Sequence, residues 1–397
     1  MFTNVYFYFN TFVNMNVQQP NFSDLFSSYS DFKVTSVHGR YLREKDLLEV
    51  FKTLSHKFKI KNEGHSEEGR IISSFRLGKG PHKILIWSQM HGNESTTTKA
   101  VLDLLNYFLI HTEISKSILE KCRFIIVPVL NPDGAVNYTR VNSNAVDLNR
   151  DAYLKTQSES KILQSLYAEF NPDFCFNMHD QRTIFSAGET EKPATLSFLS
   201  PSFNEERDIN ETRIQSMGLI ASANHLLQEF IPGQIGRYDD GFNINCIGDY
   251  FQKKGTPTVL FEAGHFPGDY EREQTRKYVF IALLKMIIDI ANQKNTDPVE
   301  QYLSIPENEK LFYDIVLRNV NYNSNETFDI AIQFKEVLSE NKIEFIPIIE
   351  KMGNLTRGYG HREINLEGQS LQFENPLNLK EGEVLASFIL NDNVFVI

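Results

Sequence analysis

Between Glu44 and Ile290, short and predominantly apolar runs alternate with stretches whose apolar residues recur every three or four positions. The runs are Ile71–Arg76, Lys83–Trp87, Arg123–Val129, Phe174–Asn177 and Thr258–Phe261; the periodic stretches are Leu47–His56, Thr96–Leu109, Ser160–Phe170, Ile214–Phe230 and Glu273–Ala291. A strand that is apolar on both sides must be covered on both sides, and helices between successive strands supply that cover. The pattern predicts an α/β fold with a mixed central sheet and helices on both faces. Beyond Gln293 the pattern changes. Residues 294–310 are polar and carry two prolines, which predicts a linker. From there to Ile397, β-like segments at Leu311–Val320, Thr327–Phe334 and Val384–Leu390 are separated by Gly and Asn turns, which predicts a small β-rich domain. The expected divisions are an N-terminal extension (1–43), the α/β unit (44–293), the linker (294–310) and the β-rich domain (311–397).

A chain of 397 residues exceeds one typical domain, and 41% hydrophobic residues with 31 Phe can fill a sizeable core. A net charge of -11 without a basic cluster argues against nucleic acid as partner. Cys122, Cys175 and Cys246 are odd in number and sit in or beside apolar runs, so buried thiols in a reducing compartment are expected. No stretch approaches the roughly 18 to 20 apolar residues of a membrane-spanning helix. The aromatic start, Met1 to Val13, lacks a basic flank and a small-residue cleavage site, so no signal peptide is expected and Met15 is a candidate start. These features predict a cytoplasmic protein with no membrane partner and leave its oligomeric state open.

Chemistry concentrates where the strands are expected to end. In open α/β sheets, ligands bind outside the carboxyl ends of the strands. The run Lys83–Gln89 leads into Met90-His91-Gly92-Asn93-Glu94, Phe174–Met178 leads into His179, and Thr258–Phe261 leads into Glu262. His91, Glu94 and His179 make a His₂Glu set with a fourth position left open, the pattern of a catalytic rather than a structural zinc site. His265 competes as third ligand, since it also follows a strand end, but Glu262 then needs its side chain free as a base. Asp180 could orient one of these ligands from behind, but a solvated loop carboxylate is the expectation. Asn131-Pro132-Asp133-Gly134 reads as a tight turn. Arg140 and the run Asp147-Leu148-Asn149-Arg150-Asp151 follow it, offering guanidinium forks that match a carboxylate and an amide that adds a neutral donor.

This ordered set resembles the zinc metallocarboxypeptidases, the M14 or carboxypeptidase A-like group: His91-x-x-Glu94, Asn131-Pro132-Asp133-Gly134, Arg140, Asp147-x-Asn149-Arg150, His179 and Glu262, spanning about Trp87 to Gly264. The resemblance implies one zinc per chain, held by His91, Glu94 and His179. It implies Glu262 as general base, Arg140 polarising the scissile carbonyl, and Asn149 with Arg150 holding a substrate carboxylate. Tyr238 stands at about the spacing of the family's substrate-capping tyrosine, with Tyr250 as rival. Two features depart from the digestive enzymes of the group. Asn93 stands where those enzymes usually carry Arg, and the β-rich tail is similar to that of the family's aspartoacylase and succinylglutamate desuccinylase branch. Phe261-Glu262-Ala263-Gly264-His265 looks more like bacterial peptidases of the carboxypeptidase group. The implied activity is zinc-dependent hydrolysis of a C-terminal amide bond in a short or modified peptide, with an N-acyl-amino-acid deacylase as the second reading.

Overall fold

A computed structural model of the chain describes residues 16–110, 113–294, 299–321, 327–371, 379–390 and 393–396; the aromatic start and Met15 lie outside them. The larger sheet has eight strands: β1 (Lys59–His65), β2 (Ile71–Gly78), β3 (His82–Ser88), β4 (Cys122–Val127), β5 (Phe174–Asp180), β7 (Leu196–Leu199), β8 (Ile235–Arg237) and β9 (Thr258–Ala263). A short strand β6 (Ser186–Ala187) lies outside it. Spatial order is β1-β2-β4-β3-β5-β9-β7-β8. The central strands β4, β3, β5 and β9 run parallel, while β1, β2 and β7 join antiparallel to their inner neighbours. The sheet is mixed, as the sequence predicts.

Helices α1 (Phe22–Ser27), α2 (Leu48–Ser55), α3 (Thr96–Leu109), α4 (Glu113–Lys121), α5 (Pro132–Asn137), α6 (Ser158–Phe170), α7 (Glu211–Leu227), α8 (Ile247–Lys253) and α9 (Glu273–Ala291) surround it. Alternate residues of β3 feed two cores. Ile84 and Ile86 join the side chains of α3, α7 and α9 on one face; Leu85 and Trp87 join Leu163 and Leu166 of α6 and Ile247 and Phe251 of α8 on the other. Both faces are therefore dry, which is why Ile84, Leu85, Ile86 and Trp87 of β3 are all apolar.

The expected N-terminal extension is part of the core. Val17, Phe22, Leu25, Tyr29, Phe32 and Val37 are buried on the α3/α9 face. The Asp103 carboxylate of α3 accepts from Tyr29 and pairs with Arg276 of α9 at 2.6 Å, with both members of the ion pair fully buried. The expected linker also folds against the larger unit: α10 (Val299–Leu303) buries Tyr302, and Ile305 follows three residues later on the same side. The Tyr302 hydroxyl accepts from the Ser200 amide at 3.1 Å, and strand β10 (Asn308–Glu309) pairs with β6. A local polar average conceals these two anchors.

The remaining chain forms a second sheet, β13-β12-β11-β14, from β11 (Phe312–Asn321), β12 (Thr327–Ser339), β13 (Lys342–Gly353) and β14 (Tyr359–Asn365), followed by the hairpin β15 (Ser387–Leu390) and β16 (Asn393–Val396). Its own core gathers Ile315, Leu317, Ile330, Ile332, Ile349 and Leu366. Several polar ties dock it on the larger unit. Arg40 pairs with Glu336 at 2.9 Å, the Tyr138 hydroxyl also meets Glu336, the Tyr270 hydroxyl donates to Asp314 at 3.0 Å, and the Phe312 amide donates to Ile184 O at 3.1 Å. No helix among the described residues is long and apolar enough to cross a membrane.

Candidate metal and active site

The chain runs from β3 to β4 on one side and returns to β5 on the other, so the carboxyl ends of β3 and β5 flank a switch point where such sheets open a crevice. His91 and Glu94 stand in the turn after β3, closed by the Glu94 amide on His91 O at 3.1 Å. Gly92 is required there: a Cβ would fall 1.9 Å from the Gly134 carbonyl carbon, so the turn packs directly on the head of α5. His179 is the penultimate residue of β5. Asp180, which ends the strand, accepts from the amides of Thr96 and Thr97 at 2.9 and 3.1 Å, while its own amide donates to Glu94 Oε2 at 3.1 Å. The Asp180 carboxylate thus caps two free N–H groups of α3, while its backbone amide holds Glu94 beside His179. Asp180 is buried rather than solvated, because the expected loop is occupied by the helix terminus it caps.

The three candidate ligands converge. His91 Nδ1 lies 2.8 Å from Glu94 Oε1, His179 Nδ1 lies 2.9 Å from Glu94 Oε2, and the two Nδ1 atoms are 3.1 Å apart. All three side chains are buried. Four-coordinate zinc with ligands at 2.0–2.1 Å spaces them about 3.3 Å apart, so the set fits a single ion. His91 Nε2 faces Asp147 Oδ1 at 3.0 Å. With its Nε2–H donated there, the ring presents an unprotonated Nδ1 to the cluster, the arrangement that orients metal-binding histidines. Burial alone would raise the Glu94 pKa, but His91 and His179 outweigh it and hold the carboxyl well below the usual range. Asp147 is lowered in the same sense: burial opposes, while His91 and Arg140 prevail.

Glu262 lies beside His179 in the register of β5 and β9 and lines the same cavity, whose volume is about 840 Å³. Burial, then the charges of Glu94 and Asp180, push its pKa well above the carboxylate range. Arg140 donates through Nε to Asp147 Oδ2 at 3.0 Å and places Nη1 3.5 Å from Glu94 Oε1, at the edge of the cluster. Asn149 and Arg150 line the cavity on the side of α8; Asn149 Oδ1 accepts from the Ile247 amide at 3.1 Å. Tyr238 also lines it, its ring edge-on to Phe185, whereas Tyr250 does not line it and lies tilted against Phe251 with ring centroids 6.1 Å apart.

His265 takes no part in the cluster; its buried ring lies 4.6 Å from Tyr270 and 4.3 Å from His361, where the two sheets meet. The Asn131–Gly134 turn opens α5, with the Asn131 side chain accepting from the Gly134 amide. All three cysteines are free, but Cys246 is only half-buried and lines the cavity. Asp147 was visible in sequence only as a neighbour of Asn149 and Arg150. Its place as the cap of the turn Leu148–Arg150, two residues before Asn149, is the signal that could have identified it.

Residues 45–193 match the zinc carboxypeptidase (peptidase M14) family, a stretch holding His91, Glu94, Arg140, Asn149, Arg150 and His179. Carboxypeptidase 2 of Trichophyton tonsurans is 29% identical over 138 residues, covering 32% of this chain and 25% of that protein. Carboxypeptidase B of Astacus astacus is 24% identical over 195 residues, covering 48% of this chain and 60% of that protein. The match thus spans from a quarter to three fifths of these relatives' length. The crystal structure of a metallo-carboxypeptidase from Burkholderia cenocepacia shares the fold at a TM-score of 0.51 and 17% identity, over 63% of this chain and 69% of that one. A matched family region, a shared fold and a His–Glu–His cluster at the sheet's switch point support placing this chain with the M14 zinc carboxypeptidases.

Proposed function

We propose that this chain is a zinc-dependent carboxypeptidase that hydrolyses the C-terminal amide bond of a short or modified peptide, with one zinc per chain held by His91, Glu94 and His179. The observation that carries this reading is the triangle of two Nδ1 atoms and one carboxylate, with Glu262 at the register position beside it. Zinc bound there would lower the pKa of a coordinated water toward roughly 7 and polarise a carbonyl.

The chain's own groups supply the rest. Asn149 and Arg150 hold the terminal carboxylate, which places the last amide bond between them and the cluster. Arg140, already oriented by Asp147, donates to the oxygen of the scissile carbonyl as negative charge develops. Glu262 accepts the proton of the attacking water at a carboxylate oxygen and passes it to the amide nitrogen as the C–N bond breaks. Tyr238, half-buried beside Phe185, covers the bound terminal residue. The deacylase reading gains no support, since the matched relatives named here are carboxypeptidases.

Metal-stripped protein should lose hydrolysis of a peptide panel and regain it with zinc. Glu262→Gln should bind zinc normally and lose about 10²–10⁴-fold in kcat, the contribution of a positioned base. Near-normal turnover of Glu262→Gln at saturating substrate contradicts the assignment.

A further inference from the structure

The two faces of the larger sheet give the cavity two sides. Asn149 and Arg150 belong to the α6/α8 side: Leu148 lies in that core, and Asn149 accepts from the head of α8. Arg40 and Tyr270 belong to the α3/α9 side: Arg40 O accepts from Ser95 at the head of α3 at 2.6 Å, and Tyr270 lies in the loop that enters α9. The His91–Glu94–His179 cluster and Glu262 lie between. A substrate whose carboxylate sits on Asn149 and Arg150, and whose last amide reaches the cluster, must send its amino-side portion toward the α3/α9 side.

On that side the wall is built by the second sheet. Phe334 of β12 and Phe345 of β13 line the cavity together with Tyr270. Ring centroids are 5.1 Å apart for Tyr270–Phe334, 5.4 Å for Tyr270–Phe345 and 6.1 Å for Phe334–Phe345. Phe345 pairs across the strands with Glu336, which stands two residues from Phe334, so all three share one face of the sheet. Glu336 on that face is tied to Arg40 and Tyr138, and the phenol of Tyr270 is tied to Asp314. The wall is therefore fixed, and its three rings are half-buried, each still presenting apolar surface to the cavity.

We propose that Tyr270, Phe334 and Phe345 form an apolar subsite that takes a side chain or acyl group from the substrate segment preceding the scissile bond. The second sheet then acts as a specificity element as well as a cover. This rests on the carboxypeptidase reading above, which sets the direction in which the substrate lies. Half-buried aromatic rings in a fixed cavity gain most from an apolar ligand that completes their burial, because no ring has to be reorganised first. A cavity of about 840 Å³ falls within the roughly 300–1,000 Å³ range that encloses a small ligand, so a long peptide is a poor fit on the walled side.

The test uses zinc-loaded full-length protein and acetylated peptides that share one C-terminal residue. Two series replace Ala by Phe, one at the residue just before the scissile bond and one at the residue before that. Wild type should favour Phe about tenfold or more in at least one series, chiefly through KM, from burial of one aromatic side chain. In Phe345→Ala that ratio should fall below about threefold, with Phe345→Leu in between. Because the ratio compares two substrates on one preparation, partial unfolding of a variant does not change it. A wild type without preference in either series, or a preference unchanged within about twofold in both Phe345→Ala and Phe334→Ala, overturns the subsite while leaving the carboxypeptidase reading standing. If wild type cleaves no peptide in either series, that reading fails and the subsite fails with it.

Discussion

Replacing Asp147 probes the link between the candidate metal cluster and the carboxylate clamp. Its Oδ1 meets His91 Nε2 at 3.0 Å and the Asn149 amide at 2.8 Å, and its Oδ2 accepts from Arg140 Nε at 3.0 Å. Asp147→Asn keeps an acceptor for the His91 ring and the Asn149 amide but removes the charge; Asp147→Ala removes all three contacts. Groups that orient a metal-binding histidine are worth about 10–100-fold in metal affinity, or roughly 1.4 to 2.7 kcal/mol. Asp147→Asn should lie near the lower figure and Asp147→Ala near the upper. Competition for zinc against a chromogenic chelator measures both, with circular dichroism to confirm folding. Zinc affinity within threefold of wild type in folded Asp147→Ala would refute the reasoning, and His91 would then owe its orientation to packing alone.

Two further outcomes test the packing. Tyr302→Ala should destabilise the protein by about 3–5 kcal/mol in urea unfolding, as for other fully buried aromatics, whereas a residue in a free linker would change stability by less than about 0.5 kcal/mol. Burial would raise the Glu273 pKa, but Lys99, Arg276 and Lys33 lower it from 4.5 to about 2, so its stabilising contribution is full above pH 4.5 and is lost as pH falls toward 2; Glu273→Gln should flatten that acid limb in a plot of Tm against pH, and an unchanged slope contradicts the ion-pair account.

The parts of this molecule legible in its sequence are those whose cause is local. Helices α3 and α9 match the predicted ranges at both ends, since both are buried along almost their whole length. His91, Glu94 and His179 could be picked out because a switch-point crevice collects residues from strand ends. Edge strands were missed: β8 has only three residues, and β1 pairs only on one edge with little burial, so neither leaves an apolar run. Contacts between distant segments were also illegible. Nothing near Tyr302 announces that its hydroxyl will meet Ser200, nothing near Asp180 that it will cap α3, and nothing near Phe345 that it will face Tyr270 in the loop before α9. These are properties of the assembled fold, and single-chain periodicity does not carry them.

The central claim is that a free terminal carboxylate is held by Asn149 and Arg150 while the adjacent amide is cleaved at the His91–Glu94–His179 cluster. The most direct measurement is kcat/KM of zinc-loaded protein on one short peptide as free acid and as C-terminal amide, with products identified by mass spectrometry. A hydrogen bond to a charged group contributes about 1.5 to 3 kcal/mol, so the account predicts release of a single terminal residue and a rate on the amide roughly 10- to 150-fold lower. Equal rates on the two peptides, or cleavage at an internal bond, would contradict it.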